Sequence, residues 1–146
     1  MHNPDQASLL LKAWVKLSSI LKNSRITKGL MYNEATIMLL LYDRYLQDGM
    51  GMISIKEITA ETKMLKSLVN RTINALEKKG LLERCEGSGD KRVIYVKCIQ
   101  EKLPVFLEVH NSSLRLAQGI IGIIGPEDAE TFIRIVQKLE NSGYHL

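Results

Sequence analysis

Apolar residues recur at the spacing of an α-helix along almost all of this chain. In the first segment Leu10, Ala13, Trp14, Leu17 and Leu21 lie three or four residues apart, so they share one face of a helix. Comparable spacing and end signals predict five more helices, which we place at about 34–47, 54–61 and 66–79, from about 101 onward, and from 125 to just before 143.

The second predicted helix is apolar on every side. Residues 37–41 are five consecutive apolar residues, which is typical of a helix that is buried all round. Asn33 is a good N-cap for this helix, and the Asp48-Gly49 pair is a typical end. We therefore expect the second helix to lie at the centre of the core.

The helical spacing stops between the fourth and fifth helices, where the segments are rich in β-branched and aromatic residues. Segments 81–86 and 93–99 flank a Gly-Ser-Gly-Asp loop, which is the pattern of a β-hairpin. If the loop spans 87–92, Cys85 lies opposite Ile94. The predicted fold class is mainly α: a winged helix-turn-helix with a small β-hairpin wing, flanked by terminal helices. It follows from the order of a short helix, a turn at 62–65, a longer helix and a hairpin.

Composition narrows the class of protein. The 146 residues suit one domain, and 45% hydrophobic with 25% charged residues exclude wholesale disorder. Two cysteines cannot form a disulfide framework, which indicates a reducing compartment. No basic leader with an apolar stretch is visible, and no apolar run approaches the ~20 residues that cross a bilayer. We expect a soluble, cytoplasmic protein with no membrane partner.

The positive charge is concentrated in one part of the chain. The formal net charge is +4, and the whole excess of positive charge falls between Ser54 and Lys97. This segment contains ten Lys and Arg residues and six acids. A concentrated basic patch is typical of a nucleic-acid-binding surface. An ordinary solvated face is the alternative interpretation of the charge alone.

The fourth predicted helix separates into two faces. Leu65, Val69, Ile73 and Leu76 form its apolar side. The opposite stripe holds hydrogen-bond donors and cations without an acid: Ser67, Asn70, Arg71, Asn74 and Lys78. Such a stripe suits the major groove, where Arg reads guanine and Asn reads adenine through paired hydrogen bonds. A solvated face would more commonly mix Glu with Lys.

Four segments resemble the MarR-type winged-helix transcriptional regulators. They are residues 53–61, residues 67–71, residues 76–84 with the sequence LEKKGLLER, and Asp90-Lys91-Arg92, which is similar to the family's Asp-x-Arg wing motif. The helix order over the full chain also fits. The chain departs from the family at two places. The family often has Ser or Asp at the cap of the recognition helix, where this chain has Leu65 or Lys66. After the second wing strand, Cys98-Ile99 replaces the family's usual Leu-Thr pair.

The resemblance implies a sequence-specific transcriptional regulator, a repressor that binds double-stranded DNA at a pseudo-palindromic operator as a homodimer. Residues 1–31 and 100–146 would form the dimerisation helices, and residues 32–99 the DNA-binding winged helix-turn-helix. The expected DNA-binding residues are Lys66, Ser67, Asn70, Arg71, Asn74, Lys78, Asp90, Lys91 and Arg92. A protein-interaction module with the same fold is the alternative.

Relatives also carry an effector pocket, which leaves a small-molecule effector open. Its lining could include Trp14, Tyr32, Tyr42 and Tyr45, although aromatic residues at helical spacing more often belong to a core.

The remaining candidate residues indicate structure rather than chemistry. Cys85 and Cys98 lie in strand segments among apolar residues, so buried structural thiols are favoured over a redox sensor. The three histidines show no metal-ligand spacing, and no phosphate loop, nucleophile elbow or carboxylate pair is present. We therefore expect no metal, no cofactor and no enzymatic activity.

Overall fold

Within the residues that the structure describes, six α-helices and a three-stranded antiparallel sheet form the mainly helical winged-helix fold that the sequence predicts. The structure is a computed structural model, and it describes residues 4–24, 29–87, 89 and 92–143. The elements are α1 Pro4–Asn23, α2 Tyr32–Asp48, β1 Met52–Ser54, α3 Ile55–Thr62, α4 Lys66–Lys78, β2 Leu82–Glu86, β3 Ile94–Cys98, α5 Leu103–Ile124 and α6 Pro126–Asn141, with a 3-10 turn at Gln100–Lys102 before α5.

Two compact units make up the chain, Met1–His110 and Asn111–Leu146. The first unit contains the sheet and the main hydrophobic core. Its largest fully buried side chains come from α2, α3, α4, the sheet and the start of α5, and include Ile37, Met38, Leu41, Ile58, Val69, Ile73, Leu76, Leu82, Val96, Phe106 and Val109. The predicted central position of α2 is therefore confirmed.

The sheet has the strand order β1-β3-β2, and sequence analysis missed β1. This strand is three residues long, too short to show an alternating pattern, and its backbone pairs with β3 from Met52 opposite Lys97 to Ser54 opposite Tyr95. It exists because the hairpin supplies a partner strand, which is information that a three-residue window does not contain.

The register of the hairpin differs by one residue from the prediction. Cys85 lies opposite Tyr95 rather than Ile94. The first pair next to the loop is Glu86 with Ile94, because Val93 belongs to the loop and not to the strand. Directly opposite residues share a face and alternate residues change face, so Cys98, three positions beyond Tyr95, lies on the other face from Cys85. The two thiols are thus separated more completely than the predicted register implied.

Helix α2 begins two residues earlier than predicted, and Asn33 is not its N-cap. The cap residue is Met31, with extended backbone, and the Glu34 carboxylate accepts a hydrogen bond of 2.8 Å from the Met31 N–H. A glutamate that reaches back in this way satisfies a backbone donor that would otherwise lack a partner.

The same carboxylate ties α2 to the end of α4. Glu34 has only 4% of its side chain exposed, and Lys79 Nζ donates to both of its carboxylate oxygens at 2.8 Å. Lys79 also donates to the Gly29 carbonyl oxygen at 3.0 Å. A buried carboxylate needs such a partner, because its desolvation is otherwise uncompensated.

Replacing Lys79 with methionine should destabilise the protein by about 1–3 kcal/mol, or roughly 3–10 °C in Tm. The substitution leaves the Glu34 charge buried without its cation, although the partly exposed position of the ammonium keeps the loss below that of a fully buried pair. Urea and thermal unfolding measure the effect. The matched control is Lys78→Met on an exposed neighbour, which should stay within about 0.5 kcal/mol of wild type. Equal stability of the two variants would contradict this role for Lys79.

Candidate nucleic-acid interface

Helices α3 and α4 form the helix-turn-helix, and local hydrogen bonds determine where α3 begins and ends. The Ser54 hydroxyl accepts from the Glu57 N–H at 3.0 Å, which confirms the predicted start. The Glu57 carboxylate binds Arg44 of α2 at 2.8 Å. Lys63 adopts a left-handed conformation with φ 60°, which ends α3 and starts the tight turn toward α4.

The inner face of α4 anchors it in the core. Val69, Ile73 and Leu76 are fully buried, and the buried Thr72 hydroxyl donates to the Leu68 carbonyl at 2.7 Å. Leu65 was predicted on this face, and that prediction is wrong, because 76% of it is exposed. It is the extended N-cap residue of α4, so the helical periodicity does not apply to it.

The outer face of α4 carries the predicted polar stripe, but the predicted absence of an acid is wrong, because the exposed Glu77 lies one turn from Asn74 and binds the same Arg84 guanidinium. Ser67, Arg71, Asn74 and Lys78 are exposed and Asn70 is half-buried, while Lys66 is exposed in the first turn. The first turn has no acid and no side-chain cap. Its N–H groups and positive dipole end are therefore open to a negatively charged group.

The charges around α4 are arranged asymmetrically. Two acids, Glu77 of α4 and Glu83 of β2, are each paired with a cation: Glu77 with Arg84 at 2.7 Å and Glu83 with Lys97 at 3.5 Å. Over the part of the chain that the structure describes, Lys66, Arg71 and Lys78 take part in no ion pair within 4.0 Å. The surface therefore offers cations whose charge is not compensated, which suits phosphate and base-edge acceptors.

Arg84 joins the wing to α4, and sequence reasoning did not assign it a role. One guanidinium nitrogen donates to Glu77 Oε1 and the other to Asn74 Oδ1, both at 2.7 Å. Arg84 lies in the LEKKGLLER segment that carries the resemblance, but no local spacing reveals a contact with a residue ten positions earlier. Only the fold of β2 against α4 brings these groups together.

The wing consists of β2, β3 and their loop. Gly87 is required at its base, because a Cβ there would collide with the ring of Tyr95. Arg92 is exposed in the loop, two residues before β3 begins. Asp90 and Lys91 lie outside the described residues, so the predicted contact between Asp90 and Arg92 stays a prediction.

The two thiols differ in environment. Cys98 is buried, as predicted, and burial raises its pKa to about 11. Cys85 is half-buried rather than buried, with its Sγ 3.5 Å from Met52 Sδ.

Alkylation should therefore distinguish them. At pH 8 a pKa near 11 leaves only about one Cys98 thiol in a thousand as the reactive thiolate. We expect iodoacetamide to modify the Cys85→Ser variant very slowly from pH 7 to 9, since raising the pH toward 11 is needed to ionise Cys98. The Cys98→Ser variant, which retains the more accessible Cys85, should react faster across this range. Equal rates, followed by mass spectrometry, would contradict the assignment.

The four aromatic candidates do not form one cluster. Tyr42 is buried, stacked on Tyr45 with ring centroids 5.9 Å apart and tilted against His110 at 5.3 Å. The core interpretation is thus confirmed for Tyr42, with Tyr45 packed against the core. It is wrong for Trp14, which is 57% exposed, and for Tyr32, which is also exposed.

The described residues contain no group of three potential metal ligands. None of their helices combines the length and the apolar character that crossing a membrane requires.

Comparison with known proteins agrees with the geometry. Residues 44–93, which include the helix-turn-helix and reach the wing, match the MarR family. The chain is 23% identical over 141 residues to YwhA of Bacillus subtilis, an uncharacterized HTH-type transcriptional regulator, covering 94% of this chain and 97% of the relative.

Solved structures share the fold over nearly the whole chain. Bordetella bronchiseptica BpsR, whose DNA binding is regulated by 6-hydroxynicotinic acid, superposes with a TM-score of 0.77 at 16% identity and covers 99% of both chains. A mutant E. coli MarR complexed with operator DNA superposes with a TM-score of 0.73 at 14% identity, covering 94% of this chain and 99% of the other.

Proposed function

We propose that this chain, whose residues 44–93 match the MarR family, is a transcriptional repressor that binds duplex DNA sequence-specifically as a homodimer. The observation that carries the proposal is the outer face of α4. It presents Arg71, Lys66 and Lys78 without ion-pair partners among the described residues, while the nearby Glu77 is neutralised by Arg84. A cationic, amide-bearing helix face next to a β-hairpin suits the major groove.

Side chains near the start of α4 would contact base edges. Recognition helices usually reach bases with their N-terminal residues, which places Ser67, Asn70 and Arg71 at the groove floor. Arg71 suits guanine, to which a guanidinium donates two parallel hydrogen bonds. Lys66 and Lys78 would contact phosphates, which increases affinity for every sequence alike.

The wing would contact the neighbouring minor groove. Asp90, Lys91 and Arg92 lie between β2 and β3 in the sequence, and we assign Arg92 to the minor groove, where narrow A·T-rich stretches attract cationic side chains. Asp90 would hold the guanidinium or the turn in place.

The terminal helices, within residues 1–31 and 100–146, would form the dimer. Helix α1 exposes large apolar side chains, and so does α6: Leu9, Leu10, Leu11, Trp14, Val15 and Ile20, and Phe132, Ile133, Ile135, Val136 and Leu139. Soluble monomers rarely leave such contiguous apolar faces in water. A two-fold dimer would present two copies of α4 to half-sites about 34 Å apart, so the operator would be a pseudo-palindrome.

A small-molecule effector and a cytoplasmic location complete the proposal. The likeness to BpsR, whose DNA binding a small aromatic acid regulates, supports an effector for this chain without assigning its site. The MarR family consists of transcriptional regulators, and we propose that this chain has no catalytic activity, cofactor or metal.

Selection of bound duplexes from a random pool tests the proposal. The full chain should enrich an inverted repeat with half-sites one helical turn apart. A pool that stays random after repeated rounds, together with binding to acidic proteins, would replace the proposal with a protein-interaction module.

A further inference from the structure

Asn74 lies on the exposed polar stripe of α4, and its amide oxygen already accepts a hydrogen bond within the protein. Arg84 donates to Asn74 Oδ1 at 2.7 Å from one guanidinium nitrogen and to Glu77 Oε1 at 2.7 Å from the other. Only 28% of the Arg84 side chain is exposed. The guanidinium thus bridges two residues of α4 from strand β2.

The chemistry of these groups determines which way the amide of Asn74 faces. A guanidinium has only donors, so the atom that Asn74 turns toward it must be the carbonyl oxygen. The amide NH2 is left on the other side of the planar group. Without Arg84, either atom could face outward, since an amide can flip to suit its partner.

We propose that Arg84 is a positioning residue that makes Asn74 a donor-only reader of the major groove. This inference rests on the proposed function. The exposed NH2 would bind an acceptor on a base edge, namely guanine O6 or N7, adenine N7 or thymine O4. The paired contact with adenine that the sequence suggested for asparagine needs both the amide oxygen and the NH2 turned toward the base, whereas in this protein the oxygen is turned toward Arg84.

Arg84 also neutralises Glu77, which lies one turn from Asn74 on the same helix. An unpaired carboxylate at this position would repel phosphates whatever the base sequence. Loss of Arg84 would therefore have two separable effects: a change of base preference through Asn74, and a uniform loss of affinity through Glu77.

The test compares base preference among variants by selection and by competition between single-base operator variants. Asn74→Ala identifies the base pair that Asn74 contacts and should reduce discrimination there about five- to tenfold. Arg84→Met frees the amide, so preference at that base pair should shift toward adenine by a similar factor. Asn74→Asp, which retains the partner of Arg84 but has no donor, should instead favour the amino groups of cytosine or adenine.

Two further variants separate the change in base preference from the effect of the Glu77 charge and from a general effect of removing an ion pair. The double variant Arg84→Met/Glu77→Gln should recover much of the overall affinity and keep the shift toward adenine. Arg44→Met removes a comparable ion pair, to Glu57 at 2.8 Å, that does not involve α4, and should leave base preference unchanged.

Three outcomes overturn the inference. One is an Arg84→Met variant that weakens all duplexes equally with the wild-type preference retained, which is the behaviour of a phosphate contact. Another is an Asn74→Ala variant with wild-type preference at every position. In both cases the proposed function stands, because wild type still enriches an operator. A wild-type protein that enriches no duplex overturns the proposed function and this inference together.

Discussion

Replacing Val136 with glutamate should split the protein into monomers and lower its affinity for operator DNA at least a hundredfold. Val136 lies in the exposed apolar stripe of α6, with Phe132 one turn before it and Leu139 one turn after it. In a two-fold dimer each substitution occurs twice, so two carboxylates would be buried without partners, at a cost of several kcal/mol. Sedimentation at micromolar concentration gives the mass.

Affinity falls when the dimer is lost, because one recognition helix alone contacts only one half-site. The matched control is Gln137→Glu, which introduces the same charge beside Arg134, Lys138 and Asn141 on the polar side of α6. This variant should remain dimeric and bind DNA like wild type. A Val136→Glu protein that stays dimeric would show that α6 does not form the interface.

Replacing Arg71 with alanine should cost about 1–3 kcal/mol per half-site, and therefore roughly 30-fold or more in affinity for an operator with two half-sites. Arg71 is exposed on the outer face of α4, and the paired donors of its guanidinium match the two acceptors of guanine. Competition between the operator and its single-base variants measures both the affinity and the preference.

Arg71→Lys is the informative control, because it keeps the charge and loses the planar fork of donors. It should retain binding to scrambled duplexes while losing discrimination at one base pair. If Arg71→Ala weakens all duplexes equally, Arg71 contacts a phosphate and the base-reading role is wrong.

Sequence patterns predicted the elements whose signals are local and repeated. The five consecutive apolar residues at 37–41 predicted α2, because a helix that is apolar all round is buried, and the apolar face of α4 predicted that helix, because burial on one side imposes a 3.6-residue period. Ser54 marked the start of α3 because the cap is a contact over three residues. The outer stripe of α4 followed from the same periodicity.

Features that depend on contacts between distant residues were not predictable in the same way. Strand β1 is too short to show a period, and a single extra loop residue, Val93, changed the hairpin register. The early start of α2 depends on Glu34, and its burial depends on Lys79, 45 residues later. The orientation of Asn74 likewise depends on Arg84, which only the packing of β2 against α4 brings into reach.

The central claim is tested most directly by measuring two affinities across a series of salt concentrations. One is the affinity for the selected operator, and the other is the affinity for a scrambled duplex of equal length. We expect two chains to bind each operator, at least about a thousandfold more tightly than the scrambled duplex at physiological salt. Both affinities should fall steeply as salt rises, because cations on α4 and the wing displace counterions from phosphates. Equal affinities for the two duplexes, or no binding at low salt, would contradict the account.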